Sequence, residues 1–308
     1  MVAGWDLPAA GAIPGVGGFR TLYEADSIYH HIVVAEDAVA RYLRFDRSFQ
    51  SGMYLRDDFD SPFLYAAYAH LGLIFQPKPK TVLVVGLGGG SIPKRFWRDY
   101  PEMMIEVAEL DPRVVEVAKQ FFGVREDARF RIAVQDGRLF LRKAQGVYDM
   151  IILDAYFAES IPFHLTTREF LALVKSRLGG DGVVVFNMIG ALTGPHSRLF
   201  RAMYRTVAEV FPGVYAFPTA FKPYYDGERI RNIIVVGSNQ RGLTRDEILQ
   251  RARRLTARVT YRQFVRYAAD YFDELIPVAD VPSLTDDYAP VDTLLPVFRP
   301  NVPPRSGR

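Results

Sequence analysis

The chain has 308 residues, 49% of them apolar and 24% charged, with a net charge of +3 and no cysteine. That size and balance suit one large or two modest soluble domains with a sizeable core. The lack of thiols excludes disulfides, thiolate metal sites and cysteine nucleophiles, and the small charge does not ask for a nucleic-acid partner.

In chain order, residues 1–18, rich in Ala, Gly and Pro, read as a flexible leader, with neither the basic start nor the apolar core of a signal peptide. Residues 19–50 alternate as short strands of a small antiparallel sheet, with a turn near Glu36 and Asp37. Residues 61–75 are apolar on a helical period, and the prolines of 76–80 mark a boundary. A small β domain with its linking helix is therefore expected over 19–76, a larger α/β domain over 77–298 and a disordered tail over 299–308. In the larger domain an apolar strand at 82–85 runs into Gly86, Gly88, Gly89 and Gly90, and a helix begins near Ser91 with Pro93 in its first turn. A second strand at 104–108 ends on Glu109. The unit reads strand, glycine loop, helix, strand, acid. Glycines let backbone approach a ligand, the helix N-terminus favours electron-rich groups, and the acid can accept from both hydroxyls of a ribose.

The alternation continues with a helix at 111–122 capped by Asp111, a strand at 129–134 and a short helix at 138–144. A strand at 150–153, a helix at 167–178 closed by Gly179-Gly180, a strand at 183–186 and a helix at 196–210 follow. Strands at 214–217 and 230–236 are expected to form an antiparallel edge, and 245–271 reads as one Arg-rich helix. Such alternation predicts a doubly wound, mostly parallel α/β sheet with ligands at the carboxyl ends of its strands. Glu109, Asp136 and Asp154 each stand just past an apolar strand, so all three face one rim. Glu109 would hold ribose, Asp136 would accept from an adenine amino group, and Asp154 would face the reacting atoms. No cluster of His, Asp and Glu has metal-ligand spacing, so no metal is expected. No run reaches the roughly eighteen apolar residues of a membrane span, which leaves a cytoplasmic protein without a membrane partner as the expectation. The exposed edge of the N-terminal sheet suggests a homodimer or higher homo-oligomer.

From about residue 21 to 238 the chain resembles the spermidine synthase family of polyamine aminopropyltransferases, which use a methyltransferase-like Rossmann fold. The glycine loop, Val107–Asp111, Gln135-Asp136-Gly137, the strand ending at Asp154 and Phe217-Pro218-Thr219 with Tyr224 and Gly227 carry the likeness. The resemblance implies a transferase moving an aminopropyl group from decarboxylated S-adenosylmethionine to a diamine such as putrescine, with Asp154 as proton acceptor. It implies nucleoside contacts from Gln50, the glycine loop, Glu109, Asp136, Gly137 and Pro162, and amine contacts from His70 and the segment after Asp154, where Phe157 stands. Tyr65, Tyr156 and Tyr224 would line the methylene stretch of such an amine.

Two positions depart from the family pattern. Gly89 replaces an acid that contacts the amine of the decarboxylated donor, and Phe157 replaces a second Asp. An S-adenosylmethionine-dependent methyltransferase and a catalytically idle nucleoside-binding homologue therefore stay open as alternatives. The Arg-rich segment 245–266 scatters its charges around the helix, as a solvated helix does, rather than forming a nucleic-acid face.

Overall fold

Four short strands open the chain: β1 Arg20–Asp26, β2 His31–Glu36, β3 Ala40–Phe45 and β4 Ser48–Tyr54. They pair consecutively as an antiparallel sheet. The computed structural model describes residues 18–156 and 161–295. The expected leader, save Gly18, the expected tail and Phe157 lie outside these residues.

The segment expected as one helix over 61–75 divides into α1 Leu64–Tyr68 and a tighter 3-10 stretch, Ala69–Ile74. Both lie buried, and the 3-10 stretch passes so close to the main sheet that a Cβ on Gly72 would meet Val185 and Met150.

The main sheet has seven strands in the order β10-β11-β9-β8-β5-β6-β7. Its members are β5 Thr81–Val85, β6 Met104–Glu109, β7 Phe130–Val134, β8 Tyr148–Leu153, β9 Leu178–Gly190, β10 Gly213–Pro218 and β11 Arg231–Ser238. β5, β6, β7, β8 and β9 run parallel, and β11 pairs antiparallel with both β9 and β10. Continuous apolar runs such as Val82–Val85 are the signature of strands covered on both faces, and every one of those residues is buried. The expected doubly wound sheet with an antiparallel edge is present.

Helix ends follow local chemistry. Asp111 caps α3 Pro112–Phe121 by accepting from Arg113 N at 2.8 Å, with Pro112 where a missing N–H costs nothing. At α2 Ser91–Asp99 the cap is Gly90 at φ 72°, and Ser91 Oγ donates instead to Gly52 O at 3.0 Å, tying the helix to β4. Three expectations need correction. Gly179-Gly180 does not close a helix but lies in β9, since α5 Arg168–Ser176 ends earlier. The helix expected from His196 onward starts inside a 3-10 turn, Pro195–Ser197, before α6 Arg198–Val210. The Arg-rich stretch is two helices, α7 Arg245–Arg254 and α8 Phe264–Ala269. Leu255 and Val259 turn inward between them and are buried, which a continuous helix would not have allowed with Phe264 and Ala268 on the same core.

Candidate active site

The carboxyl ends of β5, β6 and β8 meet at the glycine loop. Gly86 donates to Ala108 O at 2.9 Å, and Asp154 N donates to Val85 O at 2.9 Å. Gly86 has φ 96°, and a Cβ there would stand 2.2 Å from the Asp154 carbonyl. Only glycine lets the loop lie against the backbone of that acid.

Glu109 is buried and held from two sides. Leu87 N donates to its Oε2 at 2.8 Å and Asp111 N to its Oε1 at 2.9 Å. Burial pushes its carboxyl above the usual value despite those bonds. Each oxygen keeps a lone pair for a ligand hydroxyl. Asp136 caps α4 Gly137–Lys143 by accepting from Leu139 N at 2.9 Å and also accepts from His164 Nε2 at 2.8 Å. Burial alone would raise it, but the bonds from His164 and the Leu139 and Arg138 N–H groups hold it below its ordinary value.

Asp154 behaves oppositely. Burial pushes it up to about 7, a hydrogen bond from Asn187 opposes the rise, and nearby Glu109 adds to it. Asn187 Nδ2 donates to Asp154 Oδ1 at 2.8 Å, and Asn232 Nδ2 donates to Asn187 Oδ1 at 3.0 Å. Tyr156 OH donates to Asn187 O at 2.5 Å, and Tyr65 OH donates to Gln50 O at 3.0 Å. Two phenols thus flank Asp154 with their hydroxyls already engaged, leaving ring faces for a ligand.

One cleft joins these groups. Gln50, Tyr65, Gly86, Gly88, Glu109, Asp136, Gly137, Asp154, Tyr156 and Pro162 all lie on it. Other expected residues do not. Gly89 packs against Phe122 and Ser51, and Gly90 serves the turn into α2. His70 is a correction: it is fully buried, stacks on Phe96 at 4.1 Å, and is pushed down to about 3 by burial. A neutral ring in the core cannot meet an amine, so His70 leaves the candidate set. Tyr224 is 79% exposed and does not line the cleft. Among the described residues no group of acids and histidines has the arrangement to hold a metal, and no helix is long and apolar enough to cross a membrane.

The cleft also holds residues that the sequence did not single out: His30, Asn187 and Asn232. His30 stacks flat on Phe45 at 3.9 Å and lines the nucleoside side. It precedes an ordinary strand, with no motif to mark it. The amides could have been suspected only from their places at the end of β9 and the start of β11.

A family model described as the spermine/spermidine synthase domain matches residues 63–244. The polyamine aminopropyltransferase of Vibrio vulnificus (strain CMCP6) is 33% identical over 225 residues, covering 70% of this chain and 72% of that relative. The eEF1A lysine and N-terminal methyltransferase of Mus musculus is 34% identical over 139 residues, 40% of this chain and 20% of that longer protein. The crystal structure of a probable spermidine synthase from Corynebacterium glutamicum superposes with a TM-score of 0.67 over 86% of this chain and 96% of that one, at 20% identity. That last likeness speaks to fold alone.

Proposed function

This chain belongs to the spermine/spermidine synthase family, and from that premise we propose that it moves an aminopropyl group from decarboxylated S-adenosylmethionine to an amine, with Asp154 as general base. The observation that carries the reading is the convergence, on one cleft, of nucleoside-type acids and a carboxylate tuned near neutrality. Glu109 would accept from ribose hydroxyls and Asp136 from the adenine amino group, with Gln50, Gly86, Gly88, Gly137 and Pro162 against the nucleoside. Tyr65 and Tyr156 would flank the transferred chain.

The step balances simply. The acceptor nitrogen attacks the propyl carbon beside the sulfonium, a C–N bond forms, and the C–S bond breaks with its electron pair returning to sulfur. Methylthioadenosine leaves, and the proton from nitrogen goes to Asp154. An alkylamine keeps its proton up to a pKa of about 10, so a base in reach is needed near neutral pH. Because Asp154 must be ionised to act, the rate should fall as pH drops through about 7. Positioned general bases contribute roughly 10²–10⁴-fold. Asp154→Asn is therefore expected to lose at least about 10²-fold in kcat and to keep methylthioadenosine affinity within a few-fold. A variant with wild-type turnover would remove Asp154 from this role.

A second reading, methyl transfer from intact S-adenosylmethionine, is favoured by Gly89, where an acid that would repel the donor's carboxylate is missing. Incubation with each donor and an amine panel separates the two. Methylthioadenosine marks aminopropyl transfer and S-adenosylhomocysteine marks methyl transfer. The same reading carries a cytoplasmic homodimer, which fractionation and sedimentation would check.

A further inference from the structure

In the reading above Asp136 accepts from the adenine amino group, and two donors fix that carboxylate. Leu139 N bonds its Oδ1 at 2.9 Å and His164 Nε2 bonds its Oδ2 at 2.8 Å. A carboxylate only accepts, so the ring nitrogen toward Asp136 carries the proton. The Leu139 bond comes with the cap of α4 and would form at any helix that starts on Asp; the His164 bond would not. With one oxygen held, the carboxyl group still turns about its last torsion, which is a soft one. With both held, its plane is set, and the lone pair left on each oxygen has one direction. Burial raises Asp136, and the His164 bond is first among those that bring it below its ordinary value. The His164 ring lines the same cleft and is partly buried.

Contacts from elsewhere in the chain keep His164 in place. It sits in a 3-10 turn, Phe163–Leu165, whose Leu165 is buried. Arg138 Nη1 donates to the His164 carbonyl at 3.1 Å and to Asp286 Oδ1 at 2.7 Å, and its Nη2 donates to Asp286 Oδ2 at 2.5 Å. Asp286 Oδ1 also accepts from Thr167 Oγ1, the cap of α5, at 2.7 Å. Asp286 N donates to Glu169 Oε2 at 3.0 Å, and Arg168 N donates to Leu284 O at 2.8 Å. The 284–286 stretch therefore ties the start of α4 to the start of α5, with the turn that carries His164 between them. It lies outside the residues 63–244 that the family model matches, and Asp286 does not line the cleft.

Resting on the nucleoside reading of this cleft, we propose that His164 is a positioning residue that aims Asp136 at the 6-amino group of the purine, and that Asp286, through Arg138 and Thr167, holds His164 where it does so. Preference for a 6-aminopurine over a purine without that group is then set by a histidine that need not touch the base and by an acid outside the cleft. Fixing the acceptor beforehand spares the ligand the cost of ordering it.

Calorimetry on the full chain measures affinity for 5′-methylthioadenosine and for the same nucleoside with hydrogen in place of the 6-amino group. The parent should prefer the first by about tenfold or more, the scale of one hydrogen bond to a charged acceptor. His164→Ala should lose most of that preference and bind the second nucleoside within about twofold of the parent. His164→Gln, whose amide can donate to the same oxygen, should keep most of it. Asp286→Asn should shrink it in the same direction, by less. In turnover, His164→Ala should raise the donor KM and leave kcat within about twofold, as lost uniform binding does. His164→Ala with the parent's preference overturns the inference. So does equal weakening of both nucleosides, because the histidine would then only hold the fold. A Gln variant as poor as the Ala variant counts against it, and Asp286→Asn with an unchanged preference overturns the part given to Asp286. Circular dichroism checks that each variant is folded, and His164→Gln compared with Asp286→Asn decides by the same ratio if His164→Ala is not. A parent that binds both nucleosides alike overturns the inference while the nucleoside site stands. A parent that binds neither overturns the nucleoside reading and the inference together.

Discussion

Asp154 carries a cost that its position explains. An ordinary carboxyl titrates at about 3.9, and this one is pushed up to about 7 by burial. Between those values the folded chain holds more protons than the unfolded one. The stabilisation is fully present below about 4 and is lost as pH rises through about 7. Asn, which is uncharged and still accepts from Asn187, removes that loss. Asp154→Asn should thus melt higher than the parent at pH 8, by up to about 4 kcal/mol for a rise of about three units, and near the parent at pH 4. Equal melting shifts at both values would mean that the effect is packing rather than charge. The acids were legible because each follows an apolar strand, and strand ends of a parallel sheet share a rim. His70 misled because only the family likeness pointed to it; in the fold its ring stacks on Phe96 in the core. Asn187 and Asn232 were not legible because their bond spans 45 positions and depends on which strand runs backward.

Among elements, the junction from β5 to α2 is the most constrained. A Cβ on Gly89 would lie 3.0 Å from the Phe122 ring and 3.0 Å from Ser51 Oγ, so a side chain fits only if those neighbours give way. Gly89→Ala should cost roughly 1–3 kcal/mol by overpacking, measured by urea denaturation. A neutral result would show that Phe122 yields freely. Strand and helix types were readable from apolar runs and caps, as at Asp111 and Asp136. Boundaries were less so: the glycine pair that resembled a helix stop is the start of a 13-residue strand, because pairing along β8 extends it. The 245–271 stretch reads as one helix by composition, yet burial of Leu255 and Val259 breaks it.

At the scale of the whole molecule, Lys94 clamps the small sheet's connection to the large one. Its Nζ donates to the carbonyls of Asp58 and Phe122, and burial pushes its pKa down to about 8. Arg41 adds a bond to Phe121 O at 2.6 Å, and Ile32, Val34 and Leu43 pack on Val114 and Val117 of α3. Lys94→Ala should destabilise the fold by about 2–4 kcal/mol, since two carbonyls lose a charged donor. It should also weaken methylthioadenosine binding, because His30 and Gln50 reach the cleft from the small sheet. Loss of stability with unchanged affinity would mean that the sheet holds its pose without the clamp. The reversed strand β11 has a further consequence for descent. Its beginning, not its end, reaches the rim, so Asn232 meets Asn187 from a neighbour laid down long after it in the chain. Losing Asn187 unpairs both Asp154 and Asn232, whereas losing Asn232 leaves the bond from Asn187 to the base in place. Asn187 is therefore the less replaceable of the two amides, and Asn232 is the one that a descendant chain can rewrite while the base keeps its donor.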